Sequence, residues 1–166
     1  QTVISSSPAE TVLTIRSQTL PDRLSTRAKS TPDPAHLDST AFVQANHPDI
    51  VRAAKRVTAS STTPLQRSRS LATWVDRTVK DVPRASLPSA LDVLRVKEGD
   101  CNEHTYLYVA LARALRIPSK IMIGLIYNEG AFYYHAWPAV YLDQWYEIDP
   151  TLHQVGVDAT HIALLE

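Results

Sequence analysis

Lys97-Glu98-Gly99-Asp100-Cys101-Asn102-Glu103-His104 is the stretch around which the chain is organised. Glycine at 99 tolerates a backbone angle that other residues resist, and Asp100 is a good N-cap. Behind it Leu107, Ala110, Leu111, Ala114 and Leu115 recur with helical spacing. Asp100 with Glu103 three residues on has the form of a capping box, with Asp in place of Ser or Thr, and fixes the angle at which the chain enters the helix. Cys101, the single cysteine, therefore falls in the first turn of a mostly apolar helix. Unpaired backbone N–H groups and the positive end of the helix dipole gather there, and both favour a thiolate over a thiol. The helix is expected to stop at Ile117-Pro118, because proline disfavours a helical residue before it.

Three helices are expected upstream. Asn46-His47-Pro48-Asp49 opens the first, with Ile50, Ala54 and Val57 on one face. Thr63-Pro64 opens the second, whose apolar stripe of Leu71, Trp74, Val75 and Val79 runs to about residue 80. Ser86-Leu87-Pro88-Ser89 opens a shorter third, with Ala90, Leu91 and Leu94 inward and an end before Gly99. Further back, residues 20–39 hold Pro21, Pro32 and Pro34 among many Ser, Thr and Asp, and read as an extended connection that buries little. Thr11 to Arg16 reads as an edge strand, and residues 1–10 as loose chain. The division is an N-terminal arm or linker over 1–40 and one domain over 41–166.

Downstream the period changes from helix to strand. Lys120 to Tyr127 is a buried-type strand, Asn128-Glu129-Gly130 a hairpin turn, and Ala131 to Leu142 a second strand. Asp143-Gln144 turns again into a third strand ending at Asp149. A meander packed on a helix gives an α+β domain, helices first and a small antiparallel sheet second. Residues 152–166 show no clear pattern beyond a short segment at His161-Ile162-Ala163-Leu164. Pro138 removes one ladder donor from the second strand, which predicts a bulge there or an edge position for that strand.

Length and composition narrow the function. The 166 residues fit one domain, and 17 Lys+Arg against 17 Asp+Glu leave no net charge to attract nucleic acid. One cysteine cannot form an internal disulfide. No apolar run reaches the roughly 18 residues of a membrane span, so the chain reads as soluble. Gln1 in place of methionine reads as a processed or trimmed start, compatible with a lost signal peptide.

Alternation on the second strand puts Tyr133, His135, Trp137 and Ala139 on one face and Phe132, Tyr134, Ala136 and Val140 on the other. Antiparallel neighbours joined by a short turn can bring His135 and Asp149 near Cys101. Those residue types supply a nucleophile, a base and a group that orients the base.

Gly99-Asp100-Cys101-Asn102-Glu103, then Ala112 to Pro118, then His135-Ala136-Trp137, then Trp145 and Asp149-Pro150-Thr151 together resemble the transglutaminase-like superfamily, most of all its bacterial members. The resemblance covers roughly residues 60–162 and rests on four motifs in the right order. It implies a papain-like fold with a Cys101, His135, Asp149 triad and thiol acyl transfer on amides of peptides or proteins. Hydrolysis is the first expectation, cross-linking of glutamine to amines the second, and a peptide-binding module of the same fold the rival from another class. An extracytoplasmic location also follows from the resemblance alone. The Cys101 backbone N–H is assigned to the oxyanion hole. Trp74 matches no oxyanion-donor position and leaves the second donor open.

Each residue has a plainer role to weigh. A lone cysteine beside an apolar helix is ordinarily a small core residue, a lone histidine a satisfied structural one, and Asp-Pro a turn pair. The motif context favours chemistry for all three. Trp74, Trp145 and Tyr108 read as core. Tyr133 and Trp137 share the His135 face and are assigned with Asn102 to the substrate cleft, while Glu103 reads as a cap. His104, His153 and His161 could in principle join Cys101 or Asp158 at a metal, but no pair has ligand spacing, so neither metal nor cofactor is expected. Asp100 is a liability, because its charge opposes a thiolate at Cys101 unless spent on capping amides.

Overall fold

The computed structural model describes residues 2–6, 11–25, 30–83 and 88–166. Two strands, β1 (Thr2–Ser6) and β2 (Thr11–Ile15), pair as an antiparallel hairpin. The strand expected at 11–16 thus has a partner in chain expected to be loose. β-Branched Thr2-Val3-Ile4 can supply the backbone bonds that a lone strand would lack. Residues 1 and 7–10 lie outside the described residues.

The Pro-rich connection does more than the sequence suggests. Leu20 is buried in the main core, and the Arg69 guanidinium donates to the Leu20 and Pro21 carbonyls. Gln18 donates to the Trp145 carbonyl and accepts the Glu147 N–H at 2.9 and 2.8 Å. A short 3₁₀ turn at Pro34–Leu37 follows, capped by Asp33. Prolines restrict this segment locally, but the amide of Gln18 and the apolar side chain of Leu20 just before Pro21 still find partners across the fold.

The helices are α1 (Pro48–Val57), α2 (Pro64–Thr78), α3 (Ala90–Val96) and α4 (Cys101–Ala114), with a two-residue parallel pair of β3 (Lys80–Asp81) and β4 (Glu98–Gly99) between them. Pro48 and Pro64 occupy the first turns of α1 and α2, as their start signals require, and Thr63 forms a capping box with Gln66. Helix α3 starts at the Ser89 cap, and residues 84–87, which include part of the expected start, lie outside the described residues. Its buried side chains are Ala90 and Val93; Leu91 and Leu94 are half-buried.

Helix α4 is the axis of the domain. Leu107 to Ala112 are fully buried, and α1, α2 and α3 close around them. The Tyr108 hydroxyl donates to the Ser68 carbonyl, and the Thr105 hydroxyl donates to the Ala136 carbonyl at 3.0 Å, pinning α4 to the sheet.

That sheet has the order β7-β6-β5-β8, with β5 (Ser119–Asn128), β6 (Ala131–Tyr141), β7 (Trp145–Glu147) and β8 (His161–Leu165), all neighbours antiparallel. Glu129 and Gly130, both at positive φ, make a two-residue hairpin turn within the expected Asn128-Glu129-Gly130, with Asn128 closing β5. The fourth strand is an addition, built from the short segment at 161–164. Strand β6 is central and pairs with β5 without a register break, so the edge or bulge expected from Pro138 does not occur. Ile148 N–H donates to the Pro138 carbonyl, so the missing proline N–H points to the same side. Its loss ends the β7 ladder there instead of distorting β6. Alternation sends Val140, with Tyr146 and Ile148 beside it, into the α4 core. Trp137 and Ala139 join Met122 and Val157 in a second, smaller core on the far face.

Candidate active site

The Cys101 end of α4 is built by three short-range devices. Parallel pairing of β3 with β4 fixes the approach: Lys80 N–H donates to the Lys97 carbonyl and Val82 N–H to the Gly99 carbonyl. The left-handed residue is Lys97, at φ 60°, and Gly99 is needed for space instead. A Cβ on Gly99 would lie 2.2 Å from the Glu103 Cβ, so the glycine lets Glu103 fold under the chain, where it is 1% exposed. The capping box then closes as the sequence predicts. Asp100 Oδ1 accepts the Asn102 N–H at 2.9 Å, and Glu103 Oε2 accepts the Asp100 N–H at 2.8 Å.

The two carboxyls of that box share a hydrogen bond, and their acidities separate. Burial, then the bond to Asp100, push Glu103 up to about 7. Burial also works to raise Asp100, but the hydrogen bonds from Glu103 and Asn102 outweigh it and hold Asp100 below its ordinary range. Asp100 is thus the ionised member, placed at the positive end of α4.

Cys101 is half-buried, and it is not acidified as the helix start alone suggests. Burial pushes its thiol up to about 11; the Ala136 N–H, a donor to the sulfur, works against this, while the charges of Asp100 and Asp149 add to the rise. Desolvation outweighs the helix end, since a few oriented amides cannot replace the water a thiolate loses. At neutral pH Cys101 is a thiol.

His135, beside the Ala136 that contacts Cys101, is 5% exposed. Its Nε2 donates to Asp149 Oδ2 at 2.6 Å, which leaves Nδ1 as the basic ring nitrogen. Asp149 is fully buried just beyond β7, in a bridge with Gln154. Its two oxygens have separate duties. Oδ1 accepts the Thr151 and Leu152 N–H groups at 2.9 and 3.2 Å and closes a turn, while Oδ2 faces imidazole. Asp149 thus closes the turn after it and also accepts from His135. Burial would raise the Asp149 carboxyl, but hydrogen bonds from His135 and His161 hold it well below the usual carboxylate range.

His161 is the partner that sequence reasoning placed only among spare imidazoles. Its Nε2 lies 3.0 Å from the same Asp149 Oδ2, and its Nδ1 lies 3.2 Å from Asp158 Oδ1. The signal was present as an Asp three residues before a histidine in a strand-like segment, but only pairing of β8 with β5 aims it at Asp149. His135, Asp149 and His161 present atoms within 4.8 Å of one another, close enough to consider a metal. Both Nε2 atoms are spent on one carboxylate oxygen, however, which makes the group a hydrogen-bonded network. His104 and His153, the other imidazoles weighed as metal ligands, stand apart: His104 contacts the Asp100 and Val79 carbonyls, and His153 contacts Asp76.

Cys101 and His135 open onto one cleft of about 770 Å³, also lined by Tyr127, Tyr133, Tyr134 and Asp158. Tyr133 is on the wall of this cleft, whereas Asn102 is not among the residues lining it; the Asn102 Oδ1 accepts the hydroxyl of the lining residue Tyr134 at 3.0 Å. Trp137 does not line the cleft. It is fully buried, stacked 5.7 Å from the His135 ring with Nε1 donating to Glu147, because the second core covers that face of the sheet. Trp74 lines a separate groove with Arg69 and Arg77 on α2.

With this geometry in hand, comparison with known proteins is direct. The family model of the transglutaminase-like superfamily matches residues 51–150, and the chain belongs to that superfamily. Its fold is that of two solved structures. One is a candidate cysteine protease from Cytophaga hutchinsonii (TM-score 0.67, 19% identity, 81% of this chain and 50% of that one). The other is the periplasmic domain of TgpA from Pseudomonas aeruginosa (TM-score 0.59, 17% identity, 74% of this chain and 49% of that one). The chain thus spans about half the length of these structures. No curated protein matches it. The expected α+β, papain-like architecture is therefore observed, and the family and its neighbours support cysteine-type catalysis in general. Among the described residues no helix is long and apolar enough to cross a membrane.

Proposed function

We propose that the chain is a cysteine-dependent acyl-transfer domain that hydrolyses amides of peptides or proteins, with Cys101 as nucleophile, His135 as general base and acid, and Asp149 as the group orienting His135. The observation carrying this reading is the 2.6 Å contact of His135 Nε2 with buried Asp149, with Cys101 and His135 on the same cleft. Because Cys101 rests as a thiol, its proton passes to His135 Nδ1 as the sulfur attacks the substrate carbonyl. The Cys101 N–H at the helix start receives the developing oxyanion. The imidazolium then protonates the departing amine, leaving a thioester. His135 takes a proton from water as water attacks the thioester, releasing the acid and restoring the thiol.

In this proposal residues 41–166 form the catalytic unit and residues 1–40 an N-terminal arm, from which Gln18 and Leu20 pack against that unit. An extracytoplasmic setting is part of it too, supported by the periplasmic domain among the structural neighbours. The test is incubation with casein in the presence and absence of a labelled primary amine. Hydrolysis predicts new amino termini or released ammonia that disappear in Cys101→Ala. Cys101-dependent amine incorporation without hydrolysis assigns the chain to transglutamination, and the absence of both, with no acylation of Cys101, assigns it to a peptide-binding role.

A further inference from the structure

His161 is 3% exposed, yet it has a carboxylate on each side. Asp149 Oδ2 lies 3.0 Å from Nε2 and Asp158 Oδ1 lies 3.2 Å from Nδ1. Carboxylates accept and do not donate, so an imidazole satisfied at both nitrogens carries two ring protons and a positive charge. A fully buried carboxylate such as Asp149 is stabilised by hydrogen-bond donors and further by a nearby cation. Resting on the acyl-transfer reading above, we propose that His161 is a positioning residue, the permanent counter-cation of Asp149, which leaves His135 free to gain and lose the proton that catalysis moves.

If His135 were the sole partner of Asp149, the buried charge would hold the imidazolium and oppose its deprotonation. With His161 in place, Asp149 is compensated in either state of His135. The Asp149 and Asp158 contacts raise the proton affinity of His161 against the effect of burial. The charged and titratable groups facing it are Asp158 on the loop before its own strand, Asp149 beyond β7 and His135 on β6. Cys101 and Asp100 at the start of α4 follow beyond His135. On β5 its paired residue is Ile126.

Ring contacts fix the position independently of charge. The His161 ring lies 5.5 Å from that of His135 and packs edge-on to Trp137 at 5.0 Å. β8 reaches this place because β5 has Gly124 opposite it: a Cβ there would be 2.0 Å from the Ile162 carbonyl oxygen. The outer carboxylate, Asp158, is on the wall of the catalytic cleft, so a bound substrate borders the network as well as the thiol.

The first test needs no turnover. Imidazole-nitrogen NMR of the full chain at pH 7 is expected to show two ring protons on His161, and in His161→Gln, which keeps an amide donor to Asp149 but no charge, the second proton is expected on His135. A singly protonated His161, or a His135 unaltered in His161→Gln, overturns the proposal. Asp158→Asn is the milder variant, in which His161 should release a ring proton at lower pH than in the wild type; no change there also counts against it. The second test follows single-turnover acylation of Cys101 by p-nitrophenyl acetate. At a ring separation of 5.5 Å, losing the cation is expected to move the acid limb of the pH profile up by about one to two pH units. A limb that stays in place while the melting temperature falls marks a purely structural residue and refutes the proposal. Absence of any Cys101-dependent acylation in the wild type defeats the acyl-transfer reading instead, and the state of His161 is then decided by the NMR measurement.

Discussion

Glu103→Gln tests the physical reading of the helix start through stability. Glu103 is 1% exposed, accepts the Asp100 N–H, and shares a hydrogen bond with the Asp100 carboxyl. Between its ordinary 4.5 and the folded value of about 7, the native chain holds a proton that the unfolded chain has released. Unfolding free energy therefore falls as pH rises through that window and stays lower above it. At 1.36 kcal/mol per pH unit the full cost at high pH is about 3 kcal/mol, and relaxation around the pair brings the expected range to about 1–3 kcal/mol. Glutamine reproduces the protonated acid: its oxygen can accept the Asp100 N–H and its NH₂ can donate to the Asp100 carboxylate. Urea unfolding at pH 5 and pH 9 is the assay. The variant should match the wild type at pH 5 and exceed it at pH 9. An equal difference at both values, or a variant less stable at pH 9, would refute the shared-proton reading.

Four further outcomes are expected. Alkylation of Cys101 by iodoacetamide should accelerate with pH toward a midpoint near 11, above that of an ordinary thiol. Asp100→Asn, which keeps a capping oxygen and removes a charge that raises the thiol, should lower that midpoint; a higher one means the helix start is misread. Gly124→Ala places a Cβ 2.0 Å from the Ile162 carbonyl oxygen, so β8 must move, with an expected loss of about 1–3 kcal/mol in urea unfolding. Unchanged stability would show that β8 docks loosely. Asp149→Asn keeps an oxygen for the turn at Thr151 and Leu152 but not the charge facing His135; acylation of Cys101 should fall by about 10²–10⁴-fold with the fold intact. Wild-type rates would remove Asp149 from the proposed triad.

Much of the scaffold was legible because it depends on neighbours in sequence. A capping box spans four residues, a proline start signal one, and a hairpin turn two or three, so Asp100-Glu103, Pro48, Pro64 and the turn at Asn128-Glu129-Gly130 could be read directly. The apolar run of β5 and the two-residue period of β6 were equally local. What failed did so for a nonlocal reason. Pro138 looked incompatible with a central strand, yet its missing donor faces the side where β7 ends. Trp137 shares the His135 face as alternation requires, but whether that face is cleft or core depends on Met122, Val157 and β8. Leu20 lies in a segment whose prolines speak for extension, and a core built by distant helices covers it.

The sequence by itself determined the four helices and the β5–β6–β7 meander that follows them, the placement of Cys101 at a capped helix start, and the candidate set of Cys101, His135 and Asp149, because hydrogen bonding and side-chain period are properties of adjacent residues. Tertiary structure decided the acidity of Cys101 and the second imidazole against Asp149. The thiol is raised because desolvation is the collective effect of every atom packed around Cys101, and no stretch of eight residues records it. Likewise His161 becomes a partner of Asp149 only when β8 lies against β5, a contact permitted by the missing side chain of Gly124.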